Sequence, residues 1–230
     1  MAFNVEHVRA RLPGRAIVWF PSLDSTMEEA ARLGVPGGVV VAGGQTAGQG
    51  RFGRRWHSEA GAGVYASLVL RPRAVAPSLT LALGLAAAEA IAKAAGLACD
   101  LRWPNDVLIG GRKCAGILVQ VHGESLVAGI GINVNQTAFP DEIAPLATSL
   151  RLAGGRETAH EDLLIALLES VDRHVEILDV QGPGAVLDLF AAASSYARGR
   201  RVTVDLDGTP IQGTTDGLDQ AGFLWLRAED

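Results

Sequence analysis

Apolar positions along the chain alternate between short continuous runs and helical spacing. Ala16-Ile17-Val18-Trp19-Phe20 is a compact run that Pro21 ends, which predicts a buried strand. Ser25-Thr26-Met27-Glu28 has the Ser-x-x-Glu spacing of a capping box; it predicts a helix through Leu33, stopped by Gly34. Gly38 to Ala42 reads as a second strand, and Val64 to Leu70, ended by Pro72, as a third. Between them lies a loop of glycine and arginine up to about Ser58. Ser78 to Ala95 predicts a long helix with Gly96 as its stop. Cys99–Arg102, Val107–Ile109, Cys114–Val121 and Leu126–Val134 follow as successive strands, with Gly110-Gly111 as a hairpin turn. From Glu161 to Val180, Leu163, Leu164, Leu167, Leu168, Val171, Val175 and Leu178 recur at helical spacing, and Val186 to Tyr196 predicts one more helix.

The pattern changes after Gly199. Val202, Val204 and Leu206 alternate, Asp207-Gly208 makes a turn, and Ile211–Thr214 and Phe223–Leu226 are short strands. A β piece of roughly thirty residues is too small to stand alone and should pack on the rest. The expected organisation is a main domain over residues 1–198 and a small β domain over 199–230.

Composition narrows the class. The 230 residues allow one sizeable core and a small appendage. A net charge of −5 disfavours general nucleic-acid binding. Yet Ala30 to Ser58 contains no acid and includes Arg32, Arg51, Arg54 and Arg55, so a local positive field coincides with the glycine loop. Two cysteines, Cys99 and Cys114, make no disulfide framework and point to a reducing, cytoplasmic setting. Met1 to Arg11 has no apolar signal core. Leu79 to Ala95 is rich in alanine and carries Glu89 and Lys93, which suits a packed helix better than a membrane span.

Two segments carry the candidate chemistry. Gly48-Gln49-Gly50-Arg51-Phe52-Gly53-Arg54-Arg55-Trp56 matches a dinucleotide fingerprint in form only, since residues 54–58 are poor material for a first helical turn. Flexible backbone with guanidinium groups suits phosphate and carboxylate oxygens. Fifty residues on, Trp103-Pro104-Asn105-Asp106 is either a plain Asx turn or a site, and Lys113 either faces solvent or joins it. An Asp and a Lys so close can handle a metal and a developing phosphoryl charge. Gly116 within a strand suggests close approach of a backbone or ligand, and Gly129 with Gly131 leaves one strand face bare for something flat, unless they mark a bulge. Cys114 points away from Lys113 and reads as a small buried residue, not a nucleophile. His57 and His122 have no partners at metal-ligand spacing, and a zinc cluster and a Gly-x-x-x-x-Gly-Lys phosphate loop are absent.

Taken in order, Asp24-Ser25-Thr26, the Gln45 to Trp56 segment, Trp103-Pro104-Asn105-Asp106, Lys113-x-Ala115-Gly116-Ile117 and Gly129-Ile130-Gly131-Ile132-Asn133 closely resemble the biotin protein ligases. The resemblance runs from about residue 16 to 135, with a weaker echo in the terminal β piece. It implies an α+β fold like that of class II aminoacyl-tRNA synthetases, with a mixed sheet, helices on one side and a small C-terminal SH3-like domain. It also implies the monofunctional class that lacks an N-terminal DNA-binding domain. The implied activity is ATP-dependent: biotin and ATP form biotinyl-5′-AMP with Mg²⁺, and biotin passes to a lysine of a carboxylase's carrier domain. By resemblance, Lys113, Arg51 and Asp106 are catalytic, and Asp106 also places Mg²⁺. Ser25, Thr26, Gln45, Gln49, Gly50, Arg51, Lys113 and Gly116 hold biotin, with Gly116 leaving room for it. Gly48, Arg54, Trp56, Asn105 and Asn133 hold the nucleotide. A lipoate ligase or octanoyltransferase and a non-catalytic biotin sensor are the alternatives; the first needs an apolar tunnel rather than the ureido partners Ser25, Thr26 and Gln45, and loss of Lys113 or Asp106 would support the second, yet both are present. A homodimer through open sheet edges is compatible, and no specific DNA binding is implied.

Departures are Gln49 and Phe52 where the family commonly has arginine, Met27 for a frequent asparagine, Arg102 for lysine, and Cys114 for a leucine-like residue. The chain ends at Asp230, where the family's terminal barrel usually continues for another hairpin.

Overall fold

The computed structural model describes residues 3–71, 77–123, 125–206 and 208–228. Pro72 and Asp207, read above as a strand end and a turn, lie outside the described residues. Six α-helices and ten strands are described: α1 Val5–Arg11, β1 Ile17–Phe20, α2 Thr26–Leu33, β2 Val39–Ala42, β3 Gly63–Leu70, α3 Pro77–Ala95, β4 Asp100–Arg102, β5 Asp106–Ile109, β6 Arg112–His122, β7 Ser125–Asn133, α4 Leu150–Gly154, α5 His160–Gln181, α6 Pro183–Ala193, β8 Arg198–Leu206, β9 Thr209–Leu218 and β10 Leu224–Ala228.

Seven strands form one mixed sheet in the order β1-β2-β3-β7-β6-β5-β4. β1 and β2 are parallel, joined through α2; all other neighbours in this sheet are antiparallel. Alternation along each strand sorts side chains to two faces. Val39, Val41, Ala66, Leu68, Ala115, Ile117, Ala128, Ile130 and Ile132 join the core with α3, α5 and α6. Val40, Val69 and Val127 face the other way and pack on Met27 and Ala30 of α2. The helical layer thus lies on one face, as the resemblance implied, and α2 covers part of the second. By length and composition α3 could cross a membrane, but two thirds of it is buried in this core.

Both ends of α6 lie three residues earlier than the sequence reading placed them. α6 begins at Pro183 and stops at Ala193, not Tyr196, because Ser194 and Ser195 turn to β4: Ser194 Oγ donates to the Leu101 carbonyl at 2.5 Å, and Ser195 N–H and Oγ donate to the Asp100 carboxylate at 2.8 and 2.5 Å. Short α4 was not anticipated. Ser149 Oγ caps it, accepting from Leu152 N–H at 3.0 Å, and left-handed Gly155 ends it. β8, β9 and β10 form a separate antiparallel sheet.

Candidate functional site

The site's floor is the second face of β3, β6 and β7. Gly116 opposes Gly131, Gly131 also opposes Tyr65, and Gly129 lies between Leu118 and Ser67. The bare face does carry something flat, but it is a residue of the chain. A Cβ at Gly131 would lie 2.5 Å from Trp56 Cε2, and one at Gly116 would lie 2.9 Å from Trp56 Cζ3 and 3.0 Å from Lys113 Cε. The room expected for a ligand at Gly116 is therefore taken by the Trp56 indole and the Lys113 stem. Gly129 likewise makes way for Met27, whose Sδ would sit 2.9 Å from a Cβ there.

A polar end is built where α2 begins. Gln45 Oε1 accepts from the Thr26 N–H at 2.9 Å and from Thr26 Oγ1 at 3.0 Å, while Gln45 Nε2 donates to Ser58 Oγ at 2.9 Å. Ser67 Oγ donates to Thr26 Oγ1 at 2.8 Å. The capping box read from the sequence does not form. Gln45 takes up an orphan N–H of the first turn, and Glu28 accepts from Gln49 Nε2 at 3.2 Å. Ser25 Oγ is buried without a protein partner. Such an atom is costly unless something else bonds it.

The opposite end is charged. The loop folds as a tight hairpin, with Trp56 N–H donating to the Gly48 carbonyl at 2.9 Å and Gly50 N–H to the Arg54 carbonyl at 2.7 Å. At its tip Phe52 is 84% exposed with φ +58°, and the Arg51 guanidinium lies 4.8 Å from its ring. Arg51 Nη1 also donates to Asn105 Oδ1 at 3.4 Å. Asn105 is pinned to β6, its Nδ2 donating to the Ile117 carbonyl at 2.9 Å and its own carbonyl accepting from Ile117 N–H at 3.0 Å. Trp103-Pro104 is a cis peptide. Asp106 pairs with Lys113 Nζ through Oδ1 and with Arg102 Nη2 through Oδ2, both at 2.5 Å. The lysine backbone is held as well, donating to the Leu146 carbonyl at 2.7 Å and accepting from Thr148 N–H at 2.9 Å. Its ammonium lies 5.2 Å from the Trp56 ring. Neither plain reading holds: Asp106 is not a mere turn residue, and Lys113 does not point to solvent.

Each Asp106 oxygen is thus paired with one cation and keeps a second lone pair toward a metal-bound water. Among the described residues no group of three or more His, Cys, Asp or Glu could hold a metal. Cys114 is buried and donates to the Val107 carbonyl at 3.4 Å. A hydrogen bond with Cys99 and burial push its thiol well above the ordinary value, which suits an inert packing residue.

Two adjoining cavities share Gly50, Arg51, Trp56, Asn105 and Lys113 as their partition. The smaller, about 50 Å³, is lined by all eight residues assigned to biotin, together with Met27, Gly129 and Gly131. The larger, about 420 Å³, is lined by Arg54, Trp56, Asn105 and Asn133 of the nucleotide set. Gly48 lines neither. A Cβ there would meet Ser58 Oγ and the Trp56 carbonyl at 2.8 Å, so its place is in packing the hairpin. Sequence reasoning missed Phe139, Ile143, Leu146 and Ala147, which line the larger cavity. Their only signal is a cluster of apolar residues without period in a Pro-bearing stretch.

Residues 19–136 match the biotin/lipoate A/B protein ligase family. The chain belongs to this family. Among curated relatives of the family, it is 35% identical over 240 residues to the bifunctional ligase/repressor BirA of Bacillus subtilis, covering 97% of this chain and 73% of that protein. It is 34% identical over 211 residues to the biotin–[acetyl-CoA-carboxylase] ligase of Mycobacterium tuberculosis, covering 88% of this chain and 78% of that one. Among solved ligase structures, the biotin protein ligase of Aquifex aeolicus in complex with biotin and ATP superposes with a TM-score of 0.85 at 31% identity, covering 92% of this chain and 91% of that one.

Proposed function

We infer that this chain is an ATP-dependent biotin protein ligase. It activates biotin as biotinyl-5′-AMP and transfers it to a lysine of a biotin-dependent carboxylase's carrier domain. One observation carries the choice of biotin within the family: the inner cavity ends in buried polar groups, with Ser25 Oγ left unpaired. A ureido ring supplies the donors and acceptors such an end lacks, whereas the chain of lipoate or octanoate would strand them.

In the first step a biotin carboxylate oxygen bonds to the α-phosphorus of ATP, and the bond from that phosphorus to the bridging oxygen breaks, releasing pyrophosphate. Negative oxygens gather, so cations aimed at them do most of the work. Lys113 and Arg51, in the partition between the cavities, sit where carboxylate and α-phosphate would meet. Asp106, itself paired with Arg102, holds the ammonium in place. Mg²⁺ accompanies ATP and supplies charge neutralisation at its phosphates. In the second step the neutral amine of the acceptor lysine attacks the mixed anhydride carbonyl. The bond from that carbon to the phosphate oxygen breaks, AMP leaves, and the amine loses a proton. Ser25, Thr26 and Gln45 would grip the ureido ring; Arg54, Trp56, Asn105 and Asn133 would face the nucleotide.

The inner cavity is far below the roughly 300 Å³ of a ligand pocket. Trp56 and the hairpin from Gly48 to Trp56 must lift to admit biotin and close again, which would shield the anhydride from water. The proposal extends to residues 1–198 as catalytic domain and 199–230 as a small SH3-like domain, to the cytoplasm, where two free thiols are at home, and to a homodimer through the sheet edges β1 and β4. The acidic net charge favours no DNA role. The test is incubation with biotin, ATP, Mg²⁺ and a biotin carrier domain, read by mass spectrometry. Biotin on a single acceptor lysine supports the reading; an unmodified carrier overturns it.

A further inference from the structure

The turn that carries Asn105 and Asp106 is braced from a distance. Trp103 Nε1 donates to the Gly222 carbonyl at 2.9 Å, across 119 residues of chain. Gly222 sits in the turn between β9 and β10, and this turn is closed by its own hydrogen bonds. Asp219 Oδ1 accepts from Ala221 N–H at 2.9 Å and Phe223 N–H at 2.8 Å, Asp219 N–H donates to the Phe223 carbonyl at 2.8 Å, and Gly222 N–H donates to the Asp219 carbonyl at 3.0 Å. It is also seated: a Cβ at Gly222 would lie 3.4 Å from Leu187 of α6 and 3.5 and 3.7 Å from Ser78 and Leu81 of α3. On the other side of β4, Ser194 and Ser195 fix Leu101 and Asp100. The segment leading into Asp106 is therefore gripped just ahead of it by residues from the end of the chain.

We propose that Trp103 is a positioning residue, through which the small sheet sets the catalytic turn. Its hydrogen bond to Gly222 fixes residues 103–106, and through Asp106 fixes the Lys113 ammonium, for the adenylation step. The inference rests on the ligase reading. A site of this kind loses rate when its supporting groups loosen, even where substrate contacts survive. The ureido end lies on α2 and Gln45, outside this brace, so biotin binding should be spared.

The experiment is biotin-dependent exchange of labelled pyrophosphate into ATP, with the full chain, for wild type, W103F, D106N and W103F/D106N. Phenylalanine keeps an aromatic ring and loses the donor. W103F should lower kcat about five- to tenfold, with the KM for biotin changed less than about twofold. In the D106N background the same substitution should add less than about twofold, because the route through Asp106 is already cut. D219A, which loosens the Gly222 turn and leaves Trp103 intact, should lower kcat in the same direction and keeps the test open if W103F does not fold. Wild-type kcat in W103F or D219A, a raised biotin KM, or equal losses in both backgrounds would overturn the proposal. Wild-type exchange with an unaffected W103F overturns this inference alone, whereas no exchange in the wild type overturns the ligase reading and this inference with it.

Discussion

The two faces of the large sheet are written into the same strands and do opposite work. On one face, Ala115, Ile117, Ile130 and Ile132 are buried against the helices. On the other, Gly116, Gly129 and Gly131 let an indole, a lysine stem and a thioether lie flat on the backbone. Moving one residue along β6 or β7 exchanges packing for chemistry. Stability and function should therefore separate in variants whose positions differ by a single residue.

The largest break should come at the charged end of the glycine face. Lys113→Ala should reduce adenylation by about a thousandfold while the chain stays folded, checked by pyrophosphate exchange beside circular dichroism. Near-normal turnover would remove Lys113 from its assigned role. On the core face, Ile130→Ala should cost about 2–5 kcal/mol of stability. Its activity at low temperature should stay near wild type, as a denaturant melt and an exchange assay would show. Next to it, Gly131→Ala should do the reverse. The added Cβ meets Trp56, so the indole must shift, and the biotin KM should rise about tenfold with little change in melting. An unchanged KM would mean that Trp56 does not gate the cavity.

The smallest effect concerns the helical layer. His174 is buried between Glu89, whose carboxylate is 3.8 Å from Nε2, and Arg173, and its Nδ1 faces the Ser170 carbonyl at 2.9 Å. Burial lowers its pKa from the ordinary 6.5, with Arg173 adding to the effect and the Ser170 carbonyl opposing it. The unfolded chain then binds a proton that the folded chain refuses. Its contribution to stability is complete above the ordinary value and is lost as pH falls below it. Melting temperatures of wild type and His174→Gln at about pH 7.5 and pH 5.5 should show a smaller acid-induced drop in the variant.

Much of this was legible in the chain. Continuous runs and helical spacing marked β6, β7, α3 and α5, because a buried element must repeat its apolar residues at its own period. Ordered short motifs marked the site. What escaped depends on contacts made across the fold. Ser-x-x-Glu looks the same whether serine caps a helix or opens into a cavity, and here Gln45, nineteen residues on from Thr26, does the capping. Gly116, Gly129 and Gly131 announced an empty face but not that Trp56 and Met27 fill it. Nothing local reveals that Arg102 and Lys113 both pair with Asp106. α4, with five residues, is too short to show a period.

The central claim is that a small, polar-ended cavity selects biotin for activation by the cations beside it. Pyrophosphate exchange into ATP, measured with biotin, lipoate and octanoate in turn, tests it most directly. Exchange with biotin and not with the other two is the predicted result. Exchange driven by lipoate or octanoate, or no exchange with biotin, would contradict it.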